Sequence, residues 1–153
     1  MKEIAGKLDS TGMKMALVVS RFNSFFTEQL VKGAVDAFLR HSGKDADLML
    51  VRVPGANEIP QIAQKLAASG TVDAVVALGA VIQGATPHAD LINGTVARAI
   101  SKIALDTGVP VLNGLVCAQN LEQAIERSGT KQGNKGWDAV VAAIETVAVL
   151  KAI

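Results

Sequence analysis

The sequence holds no tyrosine, one tryptophan, one cysteine and only two histidines in 153 residues. A single cysteine forms no internal disulfide. Cys117 lies in an apolar, strand-like run and is expected to be a buried structural thiol rather than a nucleophile. His41 and His88 stand far apart, so with one cysteine there is no ligand spacing for a metal site, and no Cys or Ser triad finds support. An excess of one charge is missing too: 15 basic against 14 acidic residues leave a formal charge of +1. No basic run interleaves with aromatics, which disfavours a nucleic-acid partner. No apolar stretch approaches the roughly 20 residues of a membrane-spanning helix. The opening residues carry no signal-peptide core, so a cytoplasmic protein without a membrane partner is expected.

What the chain has in plenty is small aliphatic side chains. Half of its residues are hydrophobic although aromatics make up only 3%, and the mean hydropathy is +0.34. Such a chain is expected to bury apolar surface between copies of itself, as a homo-oligomer. Its length suits a single domain over residues 1–153.

The most informative stretch is residues 74–90. Its β-branched apolar run reads as a strand buried on both faces, as at the centre of a parallel sheet. It opens into Gln83-Gly84-Ala85-Thr86, followed by Pro87, which suits the first position of a helix. Free N–H groups at that helix start would favour an anion such as phosphate. His88, next in line, can move a proton near neutral pH. Thr86 and Pro87 equally fit a plain helix cap, and His88 fits an ordinary first-turn surface residue.

Around this stretch, strand and helix patterns alternate. A short edge strand is expected at residues 4–8, lying on a neighbouring subunit, followed by a turn at Ser10 to Gly12. Strands follow at residues 14–20, 48–53, 74–82 and 109–116. The first long helix is capped by Asn23 or Ser24 and carries Leu30, Val31, Ala34, Val35, Phe38 and Leu39 at spacings of three and four. It ends near His41 and Gly43, where a histidine suits a helix C-terminus. Further helices are expected from Glu58 and Pro60 to about Ser69, from Pro87 to about Thr107, over residues 121–127, and over residues 137–150. This order predicts an open parallel sheet covered by helices on both faces, with ligands beyond the carboxyl ends of the strands. Four segments meet there: 20–23, 54–58, 83–88 and Asn113-Gly114.

A glycine-rich loop spans residues 129–136, but Gly129 and Gly133 enclose three residues where a P-loop needs four, and Lys135 is followed by Gly136. No Gly-x-Gly-x-x-Gly follows a strand, so dinucleotide binding is disfavoured as well.

The rim segments in order are Ser-Arg-Phe-Asn, Val-Pro-Gly-x-x-Glu-Ile-Pro, Gly-x-x-Ile-x-Gly-x-Thr-Pro-His, Glu-Gln-Ala-Ile-Glu-Arg-x-Gly-Thr-Lys and Gly-Asn-Lys-Gly-Trp. Together, over nearly the whole chain, they resemble the 6,7-dimethyl-8-ribityllumazine synthase family of riboflavin biosynthesis. The resemblance implies a three-layer α/β/α sandwich on a four-stranded parallel sheet in flavodoxin-like order, with the N-terminal strand added to a neighbouring subunit. It implies a transferase that condenses 5-amino-6-(D-ribitylamino)uracil with 3,4-dihydroxy-2-butanone 4-phosphate, without a cofactor. Phe22 would stack on the pyrimidine, and Glu58 would accept hydrogen bonds from ribityl hydroxyls, with Ala56 and Asn57 lining the same pocket. Main-chain groups of Ala80, Val81 and Ile82 would read the ring edge. Ala85 and Thr86 would hold the phosphate, and His88 would be the catalytic proton shuttle. From an adjacent subunit, Arg127 would reach the phosphate, Lys135 the pyrimidine, and the side chain at 113 would cover the ring. The family forms pentamers, which in some members close into an icosahedral shell.

Several positions depart from the family pattern. Asn57 and Asn113 stand where the family carries aromatics, Ala89 and Leu91 replace bulkier residues, and Gln83 replaces an arginine. Loss of the ring at Asn113 should weaken stacking by roughly 0.5–1.5 kcal/mol or more. The departures bunch over residues 89–120, including Asn93-Gly94-Thr95 inside a helix, where a glycine costs about 1 kcal/mol against alanine. They motivate an alternative reading, a catalytically weakened or engineered homologue serving as a structural oligomer or cage subunit. A flavin or lumazine carrier would share the pocket.

Overall fold

The strands of this chain are built from β-branched and small apolar residues, and the computed structural model, which describes residues 1–84, 88–129 and 133–153, joins them into one sheet. The strands are β1 (Met15–Ser20), β2 (Leu48–Val53), β3 (Ala74–Ile82) and β4 (Val111–Ala118), all parallel, in the order β2-β1-β3-β4. Helices α1 (Ser24–Arg40), α2 (Ile59–Ala68), α3 (His88–Thr107), α4 (Leu121–Arg127) and α5 (Lys135–Ala152) alternate with them. This is the three-layer α/β/α arrangement expected. Two apolar cores follow from the period of two along each strand. Met15, Leu17, Val19, Val76 and Leu78 face Leu30, Phe38, Val140 and Ile144 of α1 and α5. Ala16, Val18, Val75 and Ala77 face Ile59, Ala63, Val96 and Ile100 of α2 and α3. Central β3 is buried on both faces through Ala80 and opens only at Val81 and Ile82, where its main chain becomes available to a ligand. Among the described residues, no helix is long and apolar enough to cross a membrane.

The differences from expectation are local. Residues 4–8 join none of the four strands. Within its own chain the arm crosses α5, with Gly6 against Glu145, and is anchored by buried Ser10. The Ser10 hydroxyl donates to Phe38 O at 3.0 Å and His41 O at 2.8 Å. These are carbonyls at the end of α1 that the helix itself cannot satisfy. His41 takes the expected C-cap position. Strand β4 begins two residues later than expected, because Val109 N turns back to Thr107 Oγ1 and Pro110 has no N–H to give to a ladder. It then runs on to Ala118, which pairs with Ile82. Helix α5 starts at Lys135 because Asn134 caps it, its Oδ1 accepting from Gly136 N at 2.8 Å and Trp137 N at 3.1 Å. The Asn134 amide also donates to Gln29 O at 2.8 Å. Helices α1 and α5 meet so closely there that a Cβ on Gly136 would collide with the Leu30 carbonyl. Gly94 has no such reason: α3 passes through it unbroken, and a Cβ there would meet only the Arg98 guanidinium, at 3.7 Å.

Cys117 is not buried as expected; it is exposed. It belongs to edge strand β4, with Val81 as its pairing partner, and lines a gap beside Asp90 and Asn93 of α3.

Candidate active site

The carboxyl ends of β1, β2 and β3 surround a cleft of about 300 Å³, closed on its fourth side by the first turns of α3. Each wall follows from its local chain. After β1 the backbone turns at Asn23, which adopts a left-handed conformation (φ 60°, ψ 45°). That turn leaves Phe22 projecting, 71% exposed. An aromatic face so presented in a groove is ready to stack on a flat ring. After β2, a single 3-10 turn over Ala56–Glu58 is closed by Glu58 N donating to Gly55 O at 3.2 Å. It sets Ala56, Asn57 and the exposed Glu58 carboxylate along the second wall. The end of β3 supplies Ala80, Val81 and Ile82 as the floor. β1 pairs with β3 only as far as Val19 opposite Leu78.

His88, the first residue of α3, is exposed and lines the cleft. Ile92 stands one turn further on, the same spacing that keeps side chains on one helix face. Ala85 and Thr86 lie outside the described residues, as does Pro87. Of the residues flanking them, Gly84 and His88 line the cleft.

The fold thus brings Phe22, Ala56, Asn57, Glu58, Ala80, Val81, Ile82 and His88 to one cleft. It does not bring Asn113, Arg127 and Lys135 there. These three line a separate cavity of about 350 Å³ beside Asn134 and Asp138, and among the described residues the two cavities share no lining residue. Arg127 donates to Cys117 O at 2.8 Å, and Asn113 Oδ1 accepts from Leu115 N at 3.0 Å. Both contacts satisfy main-chain groups along edge strand β4. Nearby, Cys117 is exposed as a residue, but partial desolvation of its thiol in the gap against α3 pushes it up from its ordinary pKa, against the pull of the Lys135 and Arg127 cations. A thiol so held is mostly protonated at neutral pH and makes a poor nucleophile.

Sequence reasoning placed Asn23 in the rim segment 20–23 without giving it a part in the site, and missed Ile92 as a lining residue. The spacing of Ile92 from His88 was available as a signal. The expected helix cap is Asn23 or Ser24, and the structure selects Asn23. It occupies the N-cap position but makes no side-chain cap, and its amide instead donates to Ala80 O at 2.8 Å.

A predominantly apolar groove with an aromatic face, a carboxylate, free main-chain edges and an imidazole at its mouth can hold a flat hydrogen-bonding ring with a hydroxylated tail and move protons beside it. Among the described residues no cluster of His, Cys, Asp and Glu could hold a metal ion. In a comparison with protein families, the family described as 6,7-dimethyl-8-ribityllumazine synthase matches residues 12–151.

Proposed function

Because the chain belongs to the 6,7-dimethyl-8-ribityllumazine synthase family, we propose that it condenses 5-amino-6-(D-ribitylamino)uracil with 3,4-dihydroxy-2-butanone 4-phosphate. The observation that carries this reading is the convergence of Phe22, Glu58, the β3 main chain and His88 on one cleft. The pyrimidine lies on Phe22 with its edge against Ala80, Val81 and Ile82. Its ribityl chain runs to Glu58, past Ala56 and Asn57. The free amine of the pyrimidine attacks the ketone and water leaves as the imine forms. Elimination then expels phosphate, held at Ala85 and Thr86, and ring closure releases a second water. His88, at the mouth of the cleft, accepts and returns the protons of these steps as general base and acid. No redox change occurs, so the chemistry calls for no cofactor.

The separation of the two cavities favours a site shared between copies. Arg127, Lys135 and Asn113 of one subunit would face the cleft of the next, with Arg127 on the phosphate and Lys135 on the pyrimidine. A guanidinium suits phosphate because its planar donors pair with two oxygens at once.

Mixing both substrates with the purified protein and following lumazine fluorescence tests the reading. Turnover well above the spontaneous condensation is expected, and a rate equal to the protein-free control would defeat it. The alternative, a structural oligomer or cage subunit with weakened catalysis, is favoured by Asn57 and Asn113. The Asn113 side chain is already committed to Leu115 N and offers no ring to cover a pyrimidine. Assembly seen by light scattering without turnover would select it, whereas stoichiometric binding of lumazine without turnover would select a carrier.

A further inference from the structure

The loop between β1 and α1 is strapped on two sides. Towards β2, Arg21 N donates to Val53 O at 2.8 Å and Phe22 N to Pro54 O at 3.1 Å. Towards β3, the strap is a side chain: the Asn23 amide donates to Ala80 O at 2.8 Å. Main-chain pairing between β1 and β3 stops at Val19 and Leu78, so this amide carries the contact across where the ladder leaves off. The contact joins the residue after the exposed ring of Phe22 to the first of the three floor residues. An asparagine at a helix N-cap ordinarily turns its side-chain oxygen back to the helix N–H groups. Here the backbone carbonyl of Asn23 serves that end, accepting from Phe26 N and Thr27 N, and the amide is left for the sheet. The left-handed backbone is one that asparagine, aspartate and glycine tolerate better than other residues.

We propose that Asn23 is a positioning residue for the pyrimidine half of the reaction. Its amide sets the gap between the Phe22 ring and the Ala80–Ile82 main chain, and so the slot into which the flat substrate slides. The proposal rests on the lumazine synthase reading and adds to it a residue that acts through Phe22 and Ala80 rather than on the reacting atoms. Ring stacking falls off steeply when the slot widens, so the loss should appear in pyrimidine binding and not in the handling of the phosphate-bearing ketone.

The experiment compares wild type with Asn23→Gly, which keeps the left-handed turn but deletes the amide, and with Asn23→Asp, which keeps size and turn but faces Ala80 O with an oxygen. Three quantities are read: the Kd for 6,7-dimethyl-8-ribityllumazine by its fluorescence, the KM of each substrate, and the thermal midpoint. Both variants should raise the Kd and the KM for ribitylaminouracil by about five- to twentyfold while leaving the butanone phosphate KM within about twofold. If either folded variant binds and turns over as wild type does, the proposal is wrong. A parallel rise in both KM values with a lowered midpoint would also overturn it, as general loosening. Wild-type protein that neither binds lumazine nor turns over would instead refute the enzymatic reading, and the positioning role with it.

Discussion

His88 and Asn113 show how far one side chain's surroundings decide its use. His88 is exposed at the mouth of the cleft, so whatever binds there must complete its environment. Replacing it with alanine is expected to lower kcat by about ten- to hundredfold with little change in KM. The residual rate should stay above the spontaneous one, because holding two reactants together supplies much of the acceleration. Steady-state kinetics of His88→Ala check this, and an unchanged kcat would remove the imidazole from the mechanism. The place of His88 at the cleft was legible in the sequence because it follows a buried strand and a Gly-x-Thr-Pro motif. Asn113 was legible only as a departure from the family pattern. Its actual work, giving Leu115 N an acceptor on an edge strand, depends on which strand ends up at the edge.

Among the elements, α1 and α5 meet closely enough for a single side chain to test the contact. Asn134 ties the start of α5 to Gln29 O of α1 at 2.8 Å, and Gly136 lets the two backbones approach beside Leu30. Gly136→Ala should gain some helix propensity but force the helices apart, a net loss of about 1–3 kcal/mol. Thermal denaturation should show a midpoint several degrees lower, and a midpoint at or above wild type would mean that the helices separate without cost. The helix from 121 to 127 and strand β2 were read from the sequence with the limits observed, because strong periodicity and flanking turn residues bound them. The start of α5 was not. A cap is a local signal, but the Asn134 cap is held by a main-chain group a hundred residues earlier in the chain, which no window of sequence contains. Strand β4 was misplaced for a related reason, since its extent follows the register of β3 rather than its own composition.

At the scale of the whole molecule, one chain carries two cavities that share no lining residue among those described, with His88 at one and Arg127 and Lys135 at the other. If Arg127 serves the cleft of an adjacent copy, mixed assemblies offer a direct check. His88→Ala and Arg127→Ala, each weakly active alone, should regain a measurable fraction of wild-type turnover when refolded together. Some interfaces would then pair an intact cleft with an intact arginine. Mixtures no more active than the mean of the two separate variants would show that Arg127 acts within its own subunit or not at all. The exposed apolar residues Phe25, Leu91, Leu105 and Leu121 accord with a chain that buries more surface on association, as its aliphatic composition suggests.

Composition and hydrophobic periodicity determined the order of strands and helices, the burial of the central strand on both faces, and three of the four segments expected at the sheet's carboxyl rim; the fourth, Asn113-Gly114, lies inside β4 opposite Ala77 and Leu78. These are local or repeating signals, and short stretches of chain hold them entire. Tertiary structure alone decided that Asn23 reaches across to Ala80, that Cys117 stands exposed on an edge, and that Arg127 and Lys135 sit apart from His88. Each of these rests on which distant segment comes to lie alongside, a matter settled by packing the two cores and registering the sheet.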